Sequence, residues 1–176
     1  ALAHSYNQAT IRLGMDERVG VNAVIQTLKK LGVTQDLPNY PSILLGTANL
    51  SLMEVLRLYQ PFASNGFQTS PRTIREVVDA KGKRLTRYGL EVKQVYDPAA
   101  LYLVNYAMQQ TMKNGTGAGA YNVLPNDLVM AGKTGTTNDG RDAWFAGYTG
   151  NYLAVVWLGN DDNKATGLSG GAGALP

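Results

Sequence analysis

Leu128-Val129-Met130-Ala131-Gly132-Lys133-Thr134-Gly135-Thr136-Thr137 is the stretch that decides how this 176-residue chain folds. Its Gly-Lys-Thr triplet invites a phosphate-binding loop, so that reading has to be tested first. The loop pattern needs a glycine five residues before Gly132, and Asp127 stands there. The intervening Leu128-Val129-Met130-Ala131 is apolar, with no glycine to cradle a phosphate. The stretch therefore reads as a strand, Leu128 to Thr137. Side chains alternate along a strand, so Lys133 and Gly135 point one way and Thr134 and Thr136 the other. Chance supplies only ~0.07 Lys-Thr-Gly triplets in a chain of this composition, and ~0.006 with the following threonine. An ordinary polar strand is the weaker explanation.

Two more strands follow, Ala143 to Thr149 and Tyr152 to Leu158, joined by Gly150-Asn151, a two-residue hairpin signal. The residues before them are helical. Val21, Val24, Ile25 and Leu28 mark one helix face, with Lys29 and Lys30 in its last turn and Gly32 as its stop. A second helix is predicted over Leu52 to Ala63, capped by Ser51, with Pro61 kinking or ending it and Asn65-Gly66 making the turn. Thr73 to Val78 and the residues around Leu85, separated by Asp79-Ala80-Lys81-Gly82, read as a small hairpin with a wet, basic face. Asp97-Pro98 opens a third helix with the stripe Leu101, Val104, Met108 and Met112, closed by Asn114-Gly115. Helices followed by an antiparallel meander give an α+β fold, with helices packed on one sheet. The tail Gly167 to Gly173 reads as flexible from its composition.

Length and composition suit one domain with a sizeable core, at 44% hydrophobic residues. No run approaches the ~18 apolar residues of a membrane span, so the segment is expected to be soluble. The start, Ala1-Leu2-Ala3-His4-Ser5, lacks the basic and apolar regions of a signal peptide. With no cysteine and one histidine, His4, thiolate and two-histidine metal sites are excluded, and His4 reads as a surface residue. Asp161-Asp162-Asn163 lacks calcium-loop spacing and reads as a polar turn. The net charge of +3 is uneven. Residues 1–113 carry 13 basic and 8 acidic residues, and residues 114–176 carry 3 and 5. The basic residues are scattered, without the dense run a phosphate backbone demands, so nucleic acid is not an expected partner.

Chemistry concentrates in two places. On the strand, the Thr134 and Thr136 hydroxyls share a face and can bind one carboxylate. Gly135 lets a substrate backbone lie close, and Lys133 supplies positive potential from beside or behind the strand. Near the start, Ser5-Tyr6-Asn7 places a hydroxyl and an amide two residues apart, where the one can relay a proton and the other hold a peptide bond. About 0.4 such triplets arise by chance, and taken alone, helix capping explains Ser5 better.

Together, 128 residues apart and in this order, the two motifs resemble the active-site set of the penicillin-binding proteins and serine β-lactamases, in which Ser-x-x-Lys precedes Ser-x-Asn and Lys-Thr-Gly. Further stretches extend the resemblance over almost the whole chain. They are Leu44-Leu45-Gly46-Thr47-Ala48-Asn49-Leu50-Ser51 with Glu54-Val55, Phe62-Ala63-Ser64-Asn65-Gly66, Gly115-Thr116-Gly117, and Thr136-Thr137-Asn138 leading into Asp142-Ala143-Trp144-Phe145-Ala146-Gly147. These are similar to class A penicillin-binding proteins, nearest to the bifunctional 1B type of Gram-negative bacteria. Tyr6 inside Ser-x-Asn points away from class A β-lactamases.

The resemblance implies a five-stranded antiparallel sheet flanked by helices and a penicillin-sensitive peptidoglycan DD-transpeptidase, working by acyl transfer without a cofactor. It implies Ser5 as proton relay, Lys133 as electrostatic support, Asn7 as holder of the substrate amide, and Thr134, Gly135 and Thr136 as the carboxylate-binding strand. The Thr136 backbone N–H would be an oxyanion-hole donor. Implied partners are lipid II-derived stem peptides and β-lactam antibiotics, at the periplasmic face of the bacterial inner membrane, where the full-length protein would be anchored. None of the six serines, at 5, 42, 51, 64, 70 and 169, has a lysine three residues later. Residues 1–176 are therefore expected to be the C-terminal part of one transpeptidase domain, without the Ser-x-x-Lys helix upstream and the last helix downstream. Rival expectations are a DD-carboxypeptidase or β-lactamase-like hydrolase, and a non-catalytic peptidoglycan-binding module.

Overall fold

The computed structural model describes residues 1–176. In chain order the elements are α1 (Asn7–Gly14), α2 (Gly20–Lys30), α3 (Leu52–Ala63), β1 (Phe67–Thr69), β2 (Glu76–Val78), β3 (Arg84–Arg87), β4 (Val92–Gln94), α4 (Pro98–Asn114), β5 (Ala131–Thr136), β6 (Asp142–Tyr148) and β7 (Leu153–Gly159). The three last strands form one antiparallel sheet in the order β5-β6-β7, and the α+β reading holds.

Local chemistry explains the helix ends. Ser51 and Glu54 form a reciprocal capping box at the start of α3, with Ser51 Oγ accepting from the Glu54 N–H at 3.2 Å. Asp97 accepts from the Ala99 N–H at 2.8 Å and Pro98 takes the first helical position of α4. At the end of α2, Gly32 adopts φ +108°, and Val33 N–H returns to the Leu28 carbonyl at 3.1 Å. Pro61 sits in the last turn of α3, and Asn65 and Gly66, both at positive φ, turn the chain out of it.

The sheet is packed on both faces. Across from each other in register are Ala131 and Tyr148, Lys133 and Ala146, and Thr134 and Phe145. On one face Ala131 and Tyr148 meet Met108 of α4, with Tyr59 and Phe62 of α3 beside them. On the other, Ala143 and Phe145 meet Met112, Ala120, Met130 and Ala174. Because α4 runs along the edge strand β5, successive turns of one helical stripe feed two clusters. Asn105 ties the layers, donating to the Phe62 carbonyl at 2.9 Å and accepting from the Tyr148 hydroxyl at 2.5 Å. Burial pushes the Tyr59 hydroxyl up to about 12, and the Tyr148 hydroxyl also upward.

Several expectations need correction. Leu128 to Met130 lie outside β5. The Leu128 N–H closes a turn on Pro125, its carbonyl accepts from the Tyr121 hydroxyl, and β6 has ended at Tyr148, opposite Ala131. Val104 is 38% exposed, because Asn105 and Met108 take the inward positions of α4. The predicted hairpin is β2–β3, with Asp79 Oδ1 accepting from the Lys81 and Lys83 N–H groups, but it is enclosed by an unforeseen pair, β1 with β4. The glycine-rich tail is docked: Gly170 and Ala174 are buried against β5 and β6, with Ser169 Oγ accepting from the Ala172 N–H.

Candidate active site

The first of the two site segments is a tight turn. A short 3₁₀ turn over Leu2–His4 ends with Ser5 in the left-handed region, φ 56° and ψ 42°, and its N–H bonds the Leu2 carbonyl at 3.1 Å. Asn7 begins α1, exposed and two residues beyond Ser5. Ser5 does not cap that helix. Tyr6 holds the N-cap position, and no side chain caps it. The helix-capping explanation of Ser5 is thereby overturned. His4 is exposed and stacks on Tyr6, with ring centroids 5.7 Å apart.

The second segment is β5, an edge strand whose Lys133 reaches the Ser5 turn. Lys133 Nζ donates to Ser5 Oγ at 2.9 Å and to the Thr134 carbonyl at 2.8 Å. No carboxylate lies within ion-pair distance of Lys133, the ion pairs of the chain being elsewhere. The side chain is half-buried, and this desolvation pushes the ammonium below the ordinary lysine value. An unpaired cation held against a hydroxyl oxygen makes that hydroxyl a better proton donor and stabilises negative charge nearby.

Thr134 and Thr136 lie on the opposite face of β5 from Lys133, as strand alternation requires. Thr134 is buried, its Oγ1 2.6 Å from Thr116 Oγ1. Thr136 is exposed, and its Oγ1 accepts from the Gly170 N–H at 2.9 Å. Gly135 is tightly placed: a Cβ there would come within 3.2 Å of the Trp144 Cβ. The structure thus brings Ser5 and Lys133 into contact, leaves Asn7 exposed at the start of α1, and holds the two threonines through neighbours on the other face.

Thr116 and Gly170 were not legible as partners of the strand. The signal for Thr116 is its pair of flanking glycines. A Cβ at Gly115 would run into the Ala3 carbonyl oxygen, so only glycine permits the close approach of this turn to the Ser5 turn. No cluster of three or more His, Cys, Asp or Glu side chains suited to a metal ion occurs, and Asp161 to Asn163 form a polar turn closed by Asn163 N–H on the Asn160 carbonyl.

The chain is similar to known proteins along almost its whole length. Residues 1–173 match the family model described as the penicillin-binding protein transpeptidase domain. The chain is 42% identical over 176 residues to penicillin-binding protein 1B of Vibrio cholerae and 40% identical to that of Escherichia coli, covering 99% of the chain in both cases. It spans about a fifth of those proteins, 22% and 20% of their lengths. Among solved structures, penicillin-binding protein 1A of Haemophilus influenzae superposes with a TM-score of 0.89 at 22% identity, over 97% of this chain and 31% of the other. An imipenem acyl-enzyme of penicillin-binding protein A from Mycobacterium tuberculosis gives 0.78 at 16% identity, over 99% and 44%. At those identities the two structures speak for the fold.

Proposed function

Because the chain belongs to the penicillin-binding protein transpeptidase family, we propose that it is the C-terminal part of a DD-transpeptidase domain that cross-links peptidoglycan. The observation that carries this is the 2.9 Å contact between Lys133 Nζ and Ser5 Oγ, made by residues 128 apart in sequence. In this reading a serine oxygen, supplied by residues outside 1–176, attacks the carbonyl carbon of a D-Ala-D-Ala bond. The new C–O bond forms at a tetrahedral oxyanion as the serine gives up its proton, that proton is passed through Ser5 to the D-Ala nitrogen, and the C–N bond breaks to release D-Ala. An amine of a second stem peptide then displaces the serine. Lys133 makes the Ser5 proton easier to give up, and Asn7 holds the substrate amide. Thr134 and Thr136 hold the terminal carboxylate, Gly135 leaves the strand backbone open to the substrate, and the Thr136 N–H is one oxyanion donor.

No cofactor enters this chemistry. The partners are lipid II-derived stem peptides and, as their mimics, β-lactam antibiotics. The working location is the periplasmic face of the bacterial inner membrane, reached through an anchor elsewhere in the parent protein. No helix of this chain is long and apolar enough to cross a membrane. The test is labelling of the parent protein by a fluorescent penicillin. Stoichiometric labelling that is abolished by Lys133→Ala is the expected result. A folded parent that takes no label overturns the reading in favour of a non-catalytic binding module.

A further inference from the structure

Thr116 touches both halves of the site and has no role in the chemistry above. Its backbone N–H donates to the Ala3 carbonyl at 3.0 Å, two residues before Ser5. Its Oγ1 lies 2.6 Å from the Oγ1 of Thr134, the residue next to Lys133. The glycines beside it pack closely: a Cβ at Gly115 would strike the Ala3 carbonyl oxygen, and a Cβ at Gly117 would come within 2.5 Å of Met112 Sδ and displace that side chain. Thr116 itself is exposed, whereas Thr134 is 8% exposed.

We propose that Thr116 is a positioning residue that aims the Thr134 hydroxyl at the ligand carboxylate, and so sets the preference for ligands carrying a free carboxylate. The inference rests on the transpeptidase reading of the site. Proton counting carries it. A threonine hydroxyl has one proton to give and two lone pairs that accept. Thr134 can donate to a carboxylate only if the 2.6 Å contact runs from Thr116 Oγ1–H to Thr134 Oγ1. The contact then consumes an acceptor position of Thr134 and leaves its proton free. Thr136 is arranged alike, because its oxygen already accepts from the Gly170 N–H and its proton is free. With the Thr116–Thr134 contact in that polarity, both hydroxyls on that face of β5 are held by donors, the arrangement an anion requires. With an apolar side chain at 116, the Thr134 hydroxyl loses its donor and is free to turn its proton elsewhere.

Thr116→Val keeps the β-branched shape and the backbone N–H to Ala3 and removes only the hydroxyl. Thr116→Ser restores it. The measurement is the acylation efficiency of the parent protein and both variants with benzylpenicillin and with its methyl ester, in which the carboxylate is masked. Thr116→Val is expected to lose about tenfold on the acid, in apparent affinity more than in limiting rate, and less than twofold on the ester. Thr116→Ser is expected to recover most of the loss. Wild-type efficiency for Thr116→Val, or an equal loss on acid and ester, overturns the proposal and leaves Thr116 a structural tie. A wild-type parent that is not acylated at all overturns the transpeptidase reading, and this inference falls with it.

Discussion

Lys133 is the residue on which the chemistry and the electrostatics meet. Its ammonium is desolvated without a carboxylate to compensate, so the folded chain holds the charged form less readily than the unfolded chain does. The sign follows. A depressed folded pKa leaves stability intact above the unfolded lysine value and removes it as pH falls through the window down to the folded value. Lys133→Met is therefore expected to raise stability at neutral pH and to flatten the alkaline end of the stability profile, in chemical denaturation followed across pH. On the proposed transpeptidase function, the same depression bears on acylation. The charge beside Ser5 is lost at a lower pH than an exposed lysine would set, so penicillin labelling of the parent should decline early on its alkaline side. Lys133→Arg should push that decline to higher pH, since guanidinium stays protonated. An alkaline limb that does not move excludes Lys133 as its source. Ser5→Ala should lower acylation on the order of 10²-fold, the value of one positioned proton relay.

Elements decide whether those residues meet. Gly115 fits where any side chain would strike the Ala3 carbonyl, and Thr116 N–H bonds that same carbonyl. Gly115→Ala is expected to push the Ser5 turn away from β5 and to lower labelling by at least tenfold, while Gly89→Ala, with nothing within 4 Å of its added carbon, leaves labelling unchanged. Equal labelling of both variants would remove the turn after α4 from the site's architecture. Much at this scale is legible in sequence, because the signals are local. Ser51 with Glu54 and Asp97 with Pro98 are short-range cap chemistry, and α3 and α4 begin where those residues stand. Strand alternation likewise separates Lys133 from Thr134 and Thr136 without a structure. What sequence does not carry is long-range. β1 and β4 are three residues each, too short to show a period, and they find each other only around the β2–β3 hairpin. The Ser5 hydroxyl meets a lysine 128 residues away, and the glycine tail docks on the face of a sheet.

At the scale of the whole molecule the surface is too large for its mass. The chain exposes 11541 Å², whereas a compact monomer of this mass exposes about 8,300 Å². The excess has identifiable sources. Only 24 of 176 residues are buried, and the three separate hydrophobic clusters, of 6, 3 and 3 buried residues, hold just half of them. Tyr102, Leu103 and Tyr106 stand out from α4, each more than half exposed. β7 pairs only with β6, leaving its other edge unpaired, and Val156 and Leu158 are each 39% exposed. Ordering the backbone costs roughly 1–2 kcal/mol per residue, and divided clusters of this size offset that cost poorly. The polypeptide 1–176 by itself is therefore expected to melt broadly, to bind a hydrophobic dye, and to show weak amide protection from Val129 to Gly135. The parent protein should melt sharply and protect those same amides. The isolated segment should also take no penicillin, since none of its serines is followed by a lysine three residues on. Hydrogen exchange and labelling on the two proteins side by side separate the ideas. A cooperatively unfolding monomer with protected β5 amides would show that the three clusters suffice, and stoichiometric labelling of the segment would place the nucleophile within residues 1–176.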